Sequence, residues 1–193
     1  MNSLTIKHKE FEILEIIKIN IYKCSFKNKL YIVTKLDIND VNYKENLLMI
    51  SKLTHSSVKQ PKLFLIDKKQ GFVVREFIDG VTLFDYILDH DFSEKIYQQV
   101  FYNSYCAKIA RINLDFNLKS WMLMGDELYY IQLYCEKYDP ELDFTKKMIF
   151  SWFLGKDLQK YYENNGVLID KSRIKNDFTV NKEMVLMTCK YYN

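Results

Sequence analysis

The sequence predicts an α+β protein, because strand-like segments fill most of its first half and helix-like segments most of its second. Residues 17–26 alternate between apolar and polar side chains, which is the period of a half-buried strand. A β-branched and aromatic segment follows at 30–35, and the polar segment 27–29 between them indicates a turn. These segments therefore predict an antiparallel hairpin. Apolar residues then recur at helical spacing over 41–53, which predicts one helix in this half.

A second pair of strands and a clear break complete the first half. Residues 62–67 and 72–78 both read as strands, so the order is strand, strand, helix, strand, strand. The Asp-Gly pair at 79–80 interrupts this pattern. Thr82 and Asp85, three residues apart, have the capping-box spacing that begins a helix. We therefore expect the sheet to end before this break.

The rest of the chain is predicted to be mostly helical. Ser93 is placed to cap a long helix, and a hairpin is predicted over 121–131. A further helix is predicted over 145–165, and a last one behind Asn181. A chain of 193 residues can bury one core, or two small lobes that share a cleft.

Composition restricts the possible classes of function. Hydrophobic residues make up 48% and charged residues 27%, with two prolines and five glycines, which is a globular composition without long disordered linkers. The 28 basic and 25 acidic residues give a net charge of +3, which is too balanced for nucleic-acid binding by bulk charge. We therefore expect no nucleic-acid partner, while a local basic patch stays open.

Cysteine usage and hydropathy indicate the cellular setting. Cys24, Cys106, Cys135 and Cys189 are widely separated, with only three histidines, so their spacing is not that of a zinc site or a disulfide scaffold. Residues 1–10 are polar and do not resemble a secretory signal, and no apolar run reaches membrane-spanning length. We therefore expect a reduced, cytoplasmic protein that does not bind a membrane.

Four short segments carry polar residues in an ordered spacing. Lys35 ends the strand segment Val-Thr-Lys, and Glu45 follows ten residues later in the predicted helix. Residues 73–83 read VVREFIDGVTL. Residues 113–123 read NLDFNLKSWML and contain Asp115. In this order the segments resemble the protein-kinase-like superfamily, especially small atypical members such as aminoglycoside phosphotransferases and the minimal KEOPS-complex kinases.

The resemblance covers about residues 11–138 and implies a role for each segment. Lys35 would bind the phosphates of ATP, and Glu45 would hold the lysine in place. Asp115 would take the place of the catalytic aspartate. The backbone of three residues would face the adenine edge: Glu76, Phe77 and Ile78.

The resemblance also implies an architecture. We expect a single two-lobed kinase-like domain over 1–193, with an antiparallel-sheet N-lobe and one C-helix at 1–78. The hinge would lie at 79–80, and a reduced, mostly helical C-lobe would follow at 81–193. About sixty residues follow the last motif, too few for a full helical lobe.

The residues that would bind magnesium and cover the phosphates depart from the family pattern. Residues 16–23 contain no glycine, although glycines let the backbone approach phosphates closely. Ser120 and Gln132 stand where the family has its two metal ligands, and a neutral amide is a weak ligand for magnesium. We therefore expect ATP as the ligand, if one binds, and no ordinary magnesium site. An unorthodox site that uses Asp139 or Glu136 is an open alternative.

The leading hypothesis is a pseudokinase that acts by binding a protein partner, with or without a nucleotide in the cleft. The alternative is an atypical ATP-dependent phosphotransferase that acts on a small molecule or a protein hydroxyl, with Asp115 as base. A third is transfer of another group, such as a nucleotidyl moiety. Taken singly, Lys35 could be a solvated strand end, Glu45 a helix-dipole partner and Asp115 a turn residue.

Two geometric expectations accompany all three hypotheses. Lys35 and Glu45 should lie within ion-pair distance. Asp115 and Gln132 should face the same cleft, and a Gln132 that points into the core would make the placement of the metal motif wrong.

Overall fold

A computed structural model describes residues 3–191, except for the side chains of 147 and 148. It is an α+β structure, as predicted, and it contains a six-stranded antiparallel sheet with the order β1-β2-β3-β4-β6-β5. Its strands are β1 Ser3–Ile6, β2 Lys9–Lys18, β3 Ile21–Phe26, β4 Lys29–Lys35, β5 Leu63–Asp67 and β6 Phe72–Glu76.

Turn chemistry decides the boundaries of these strands. Lys27 and Asn28 both have positive φ, 51° and 60°, which gives the two-residue connection that suits the right-handed twist of a hairpin. The predicted turn at 27–29 is thus confirmed. The single strand predicted over 17–26 is wrong, because a turn separates β2 from β3 and Asn20 adopts φ 64°. Strand β1 was not predicted.

The sheet is strongly curled. Strands β1 and β5 lie at its opposite edges, yet Thr5 and His8 line the same 550 Å³ cavity as Asp67 and Lys69. One face of the curled sheet encloses a small apolar core, which we call the inner core. Its fully or nearly fully buried members are Ile6, Phe11, Cys24, Tyr31, Val33, Phe72 and Val74.

Helix α1, Tyr43–His55, packs on the other face of the sheet. Ile50 of this helix clusters with Val73 of β6, with Leu36 just after β4 and with the distant Leu133. The predicted helix over 41–53 is therefore confirmed, with boundaries about two residues later. This small cluster joins the sheet to the second half of the chain.

The second half contains most of the helices and two small sheets. The helices are α2 Leu83–Asp89, α3 Glu94–Ile109, α4 Lys156–Asn164 and α5 Asp177–Tyr191. The strands are β7 Val81–Thr82, β8 Ile112–Asn113, β9 Trp121–Met124, β10 Glu127–Tyr130 and β11 Glu136–Lys137. They form a three-stranded sheet, β10-β9-β7, and a two-stranded pair, β11-β8. The largest hydrophobic core lies here, around Trp121 and Trp152.

Local signals in the second half are confirmed in part. The Thr82 side chain accepts a hydrogen bond from the Asp85 N–H, so the predicted capping box begins α2. The long helix predicted over 145–165 is wrong, because π and 3₁₀ turns lead into Gly155 and only then does α4 begin. A Cβ at Gly155 would lie 2.9 Å from a Val180 side-chain carbon, so close packing against α5 imposes this break. Helix α5 also begins before the predicted Asn181.

Over residues 3–191, no helix is both long and apolar enough to cross a bilayer.

Candidate functional site

A cavity of about 310 Å³ lies between the six-stranded sheet and the second half of the chain, and we call it the cleft. On the sheet side it is lined by Ile17, Ile21 and Ile32. Met122 of β9 and Ile131, just after β10, line the opposite side. The cleft is therefore lined by apolar side chains from both parts of the chain, and polar residues such as Thr34 and Arg75 lie among them.

The segment after β10 is fixed between these surfaces by backbone and apolar contacts. The Ile131 N–H donates to the Ser120 carbonyl at 3.0 Å. Leu133 is buried against Ile50 and Val73, so the chain on both sides of Gln132 is anchored. This anchoring directs Gln132 to the cleft rather than into the core.

Asp115, Ser120 and Gln132 form a continuous chain of side-chain hydrogen bonds. Gln132 Nε2 donates to Ser120 Oγ at 3.1 Å, and Ser120 Oγ donates to Asp115 Oδ2 at 2.5 Å. The N–H of Asn117 donates to Asp115 Oδ1 at 2.9 Å. Asp115 and Gln132 are therefore linked through the buried Ser120 hydroxyl, but of the two only Gln132 lines the cleft that both were expected to face.

Buried aromatic side chains hold the Asp115 loop in place. The Asp115 N–H donates to the Tyr130 hydroxyl at 3.1 Å, and that hydroxyl donates to the Tyr134 carbonyl at 2.8 Å. Trp121 Nε1 donates to the Asp115 carbonyl at 3.0 Å. Burial raises the pKa of Tyr130, so its hydroxyl keeps its proton and donates at neutral pH. The loop is thus preorganised on the main core.

A second cavity, of about 340 Å³, opens beside the Asp115 loop. Asp115 and Glu136 line it, and Gln132 and Tyr134 line both this cavity and the cleft. Asp115 itself is exposed. Its carboxylate is therefore accessible from this side, next to the end of the cleft.

Arg75 of β6 is a buried cation at the cleft. Its side chain is 7% exposed, and its guanidinium donates to the carbonyls of Ile131 at 2.8 Å and Gln132 at 3.0 Å. Desolvation lowers the pKa of Arg75 to about 10. Over residues 3–191 no carboxylate pairs with it. Arg75 therefore links the sheet to the Gln132 segment without a carboxylate partner in the part of the chain that the structure describes.

Three residues predicted to face a nucleotide base, Glu76, Phe77 and Ile78, all line the cleft. The Glu76 N–H donates to the Lys62 carbonyl at 2.9 Å, and the Phe77 N–H donates to the Leu30 carbonyl at 3.1 Å. The Ile78 N–H makes no backbone hydrogen bond within the described chain.

The ion pair expected between Lys35 and Glu45 is not formed in the described structure. Lys35 pairs in register with Phe72, whose ring belongs to the inner core, and Lys35 Nζ lies 5.3 Å from that ring centroid. Successive side chains of a strand point to opposite faces, so Lys35 lies on the face away from the cleft. Glu45 is exposed in the first turn of α1, where an acidic group favours the helix dipole.

Thr34 and Asn46, each one residue away from the predicted pair, occupy the relevant faces. Thr34 lines the cleft and pairs with Val73. Asn46 precedes Ile50 by four residues, so both lie on the helix face that packs toward the sheet. Neither residue was predicted, because a shift of one residue exchanges the two faces of a strand. The sequence Val33-Thr34-Lys35 does not by itself show which of these side chains faces the cleft.

Arg75 was also missed as a functional residue. The available signal was a lone arginine in an otherwise apolar strand segment, Phe-Val-Val-Arg. Among the described residues, no group of three or more His, Cys, Asp or Glu side chains is arranged to hold a metal ion. The open alternative named Asp139 or Glu136. Asp139 caps a 3₁₀ turn by accepting the Glu141 N–H at 2.9 Å, and Glu136 lines the cavity beside Asp115.

Comparison with known proteins adds no family assignment. No protein-family model matches the sequence, and no curated protein matches it.

Proposed function

We propose that the chain is a pseudokinase, a protein of the kinase-like fold that has lost magnesium-dependent phosphoryl transfer and acts by binding a protein partner. The observation that carries the proposal is the hydrogen-bonded chain Asp115–Ser120–Gln132 beside the cleft. In the family that the sequence resembles, these positions hold the catalytic aspartate and the two metal ligands.

The arrangement of the elements supports the kinase-like part of the proposal. An antiparallel sheet carries one helix on the face that adjoins the cleft, and a mostly helical part follows on the other side. Asp115 and Gln132 are 17 positions apart in sequence, and the fold joins them through the single side chain of Ser120. If the separate motifs resembled the family pattern only by chance, Asp115 and Gln132 would have no reason to lie this close together.

The chemistry of the same positions supports the loss of phosphoryl transfer. Ser120 and Gln132 contribute a hydroxyl and an amide, where a hard divalent cation prefers carboxylates. Thr34 and Asn46, neither of them charged, stand on the faces where the lysine and its glutamate were expected. Four positions of the expected catalytic site, 34, 46, 120 and 132, therefore carry neutral polar side chains.

One observation favours the alternative of an atypical phosphotransferase. The exposed Asp115 carboxylate lines the 340 Å³ cavity at the end of the cleft, where a hydroxyl substrate could approach it. In that case phosphate transfer from ATP to a small molecule or a protein hydroxyl would be abolished by Asp115→Asn. Robust, magnesium-dependent transfer with this dependence would replace the pseudokinase proposal.

The test restores the missing ligands with the double variant S120N/Q132D. We expect thermal unfolding of the wild type with ATP to be unchanged by magnesium, because no carboxylate besides Asp115 lies in the chain of hydrogen bonds. The variant should gain a magnesium-dependent stabilisation, about 2.7 kcal/mol at a hundredfold excess over the dissociation constant.

The matched control is S51N/Q98D, which makes the same chemical changes at exposed sites on α1 and α3. It should behave as the wild type. If S120N/Q132D folds but shows no response to magnesium with ATP, these residues do not form the expected metal positions and the kinase-like assignment of the site is wrong.

A further inference from the structure

A cavity of about 630 Å³ borders the cleft along residues 76–78, and we call it the lysine groove. Residues 29–31 of β4 form one part of its lining, and residues 56–60 and 62, between α1 and β5, form another. Met124 of β9 and Tyr129 of β10 complete it. The groove therefore lies where the sheet meets the second half of the chain, and outside 76–78 it shares no lining residue with the cleft.

Two lysines of the groove have no acidic partner. Lys29, Lys59 and Lys62 are exposed lining residues, and Glu76 is the one acid in the lining. Lys59 Nζ lies 2.9 Å from the Glu127 carboxylate, so its charge is compensated. Lys29 and Lys62 form no ion pair among residues 3–191. Their charges favour an anionic group in the groove.

Apolar side chains beside these lysines are only partly covered. Leu30 is 40% exposed and Met124 is 37% exposed, and both line the groove. The Tyr129 ring lies under Lys59 Nζ, 5.2 Å from its centroid. A protein interface combines apolar contacts at its centre with polar and charged groups around them. The groove therefore offers contacts for an apolar side chain next to its cations.

The lining favours an acidic protein segment over a nucleic acid. A nucleic-acid strand carries a charge at each phosphate, and its affinity comes mostly from cations on successive phosphates. The groove has only two unpaired lysines, and the Glu76 carboxylate lies in the same lining. A peptide varies its side chains from one position to the next. It can therefore place carboxylates at Lys29 and Lys62 and an apolar side chain elsewhere.

A second lysine-lined cavity shows that charge alone does not define the groove. The 550 Å³ cavity beside the β1–β2 and β5–β6 turns is lined by the exposed Lys7, Lys68 and Lys69. Its only apolar lining residue is Ile66, which is not among the exposed hydrophobic residues. This cavity is therefore an internal comparison, because it has the cations without the exposed apolar side chains.

We propose that the lysine groove binds an acidic segment of a protein partner. Lys29 and Lys62 contact its carboxylates, and Leu30 and Met124 contact its apolar side chain. This inference rests on the proposed function for the expectation of a protein partner, and it names the chemistry of that partner and the surface that binds it.

The test selects random twelve-residue peptides, displayed on phage, for binding to the full chain. Enriched peptides are then synthesised and their affinities measured by fluorescence anisotropy. We expect them to combine Asp or Glu with an apolar or aromatic residue. They should bind K29E/K62E at least tenfold more weakly than the wild type, because two attractive contacts become repulsive. The matched control K68E/K69E makes the same charge change in the 550 Å³ cavity and should bind as the wild type.

Met124→Gln tests the apolar contact and leaves both lysines in place. We expect the affinity for an enriched peptide to fall about fivefold, because the polar side chain loses the contact with the apolar residue of the peptide. The counterpart peptide with Asn and Gln in place of its acids should bind at least tenfold more weakly to the wild type. An unchanged affinity with Met124→Gln would overturn the apolar part of the proposal.

Three outcomes would overturn the groove as an acidic-peptide site. They are the absence of enriched acidic peptides, equal losses in K29E/K62E and K68E/K69E, and tighter binding of a twelve-nucleotide uridine RNA than of the peptides. If one of them occurs while S120N/Q132D gains its magnesium response, the proposed function stands and this inference fails. If that response is absent but peptide binding depends on Lys29 and Lys62, the groove stands and the kinase-like assignment fails.

Discussion

At the scale of single residues, side-chain direction in β4 and β6 determines the character of the cleft. Ile32 and Thr34 line it together with Arg75, whereas Val33 and Lys35 lie on the face that forms the inner core. A strand places neighbours on opposite sides of the sheet, so one position separates a cleft residue from a residue outside it. On this face of the two strands the basic side chain is therefore Arg75 rather than Lys35.

Replacement of Lys35 tests this orientation. We expect Lys35→Met to alter the free energy of unfolding by no more than about 0.5 kcal/mol, because the exposed ammonium lies 5.3 Å from the Phe72 ring centroid and forms no ion pair among the described residues. Urea unfolding measures the change. A loss several times larger would mean that Lys35 makes contacts on the cleft side of the sheet and that its assigned face is wrong.

At the scale of elements, local signals predicted the elements that short-range chemistry controls. The left-handed pair Lys27 and Asn28 closes the β3–β4 hairpin, and Thr82 caps α2. The predicted hairpin over 121–131 is present as β9 and β10. The helix predicted over 145–165 is wrong in its extent. The apolar spacing indicates helical structure, but close packing at Gly155 interrupts the chain before α4 begins.

The connection between the sheet and α2 depends on a close backbone approach at Gly80. A Cβ at this position would lie 2.3 Å from the Leu123 carbonyl oxygen, which is held by the pairing of β7 with β9. We expect Gly80→Ala to lower the free energy of unfolding by about 3 kcal/mol, because a backbone atom cannot rotate away from the clash. Urea unfolding measures this loss.

Gly125→Ala is the matched control for that substitution. Gly125 has φ 58° but no atom within 4 Å of its added Cβ, so only the left-handed backbone penalty of about 1 kcal/mol applies. A loss for Gly80→Ala no larger than that for Gly125→Ala would show that the close approach to Leu123 does not make Gly80 necessary.

At the scale of the whole molecule, the protein has three hydrophobic cores, and apolar contacts and hydrogen bonds between distant residues connect them. The largest core surrounds Trp121 and Trp152, the inner core fills the curled sheet, and the Ile50–Leu133 cluster lies between them. Arg75 adds two hydrogen bonds from the sheet to the Gln132 segment. The cleft is therefore formed by contacts between residues that are distant in sequence.

Buried thiols in two of these regions make stability depend on alkaline pH. Burial raises the pKa of Cys24 and of Cys135 to about 11, from 9.0 in the unfolded chain. Between pH 9 and 11 the unfolded chain has lost protons that the folded chain retains, so the free energy of unfolding should fall. The two thiols together contribute a slope of roughly 2 kcal/mol per pH unit near pH 10.

Urea unfolding at intervals from pH 8 to 11 measures this slope. Cys24→Val, which replaces the thiol with an apolar group of similar size in a strand, should reduce the slope by roughly 1 kcal/mol per pH unit. A slope in Cys24→Val equal to that of the wild type would show that Cys24 does not titrate as a buried thiol.

The sequence by itself determined the α+β class and the order of the central elements. Alternation, turn residues and caps act over a few positions, so the chain displays them directly. Only the tertiary structure decided that Thr34 rather than Lys35 lines the cleft, and that Arg75 lies there without a carboxylate partner among the described residues. It also decided the break at Gly155. These outcomes depend on strand register and on packing between distant segments, which local patterns do not encode.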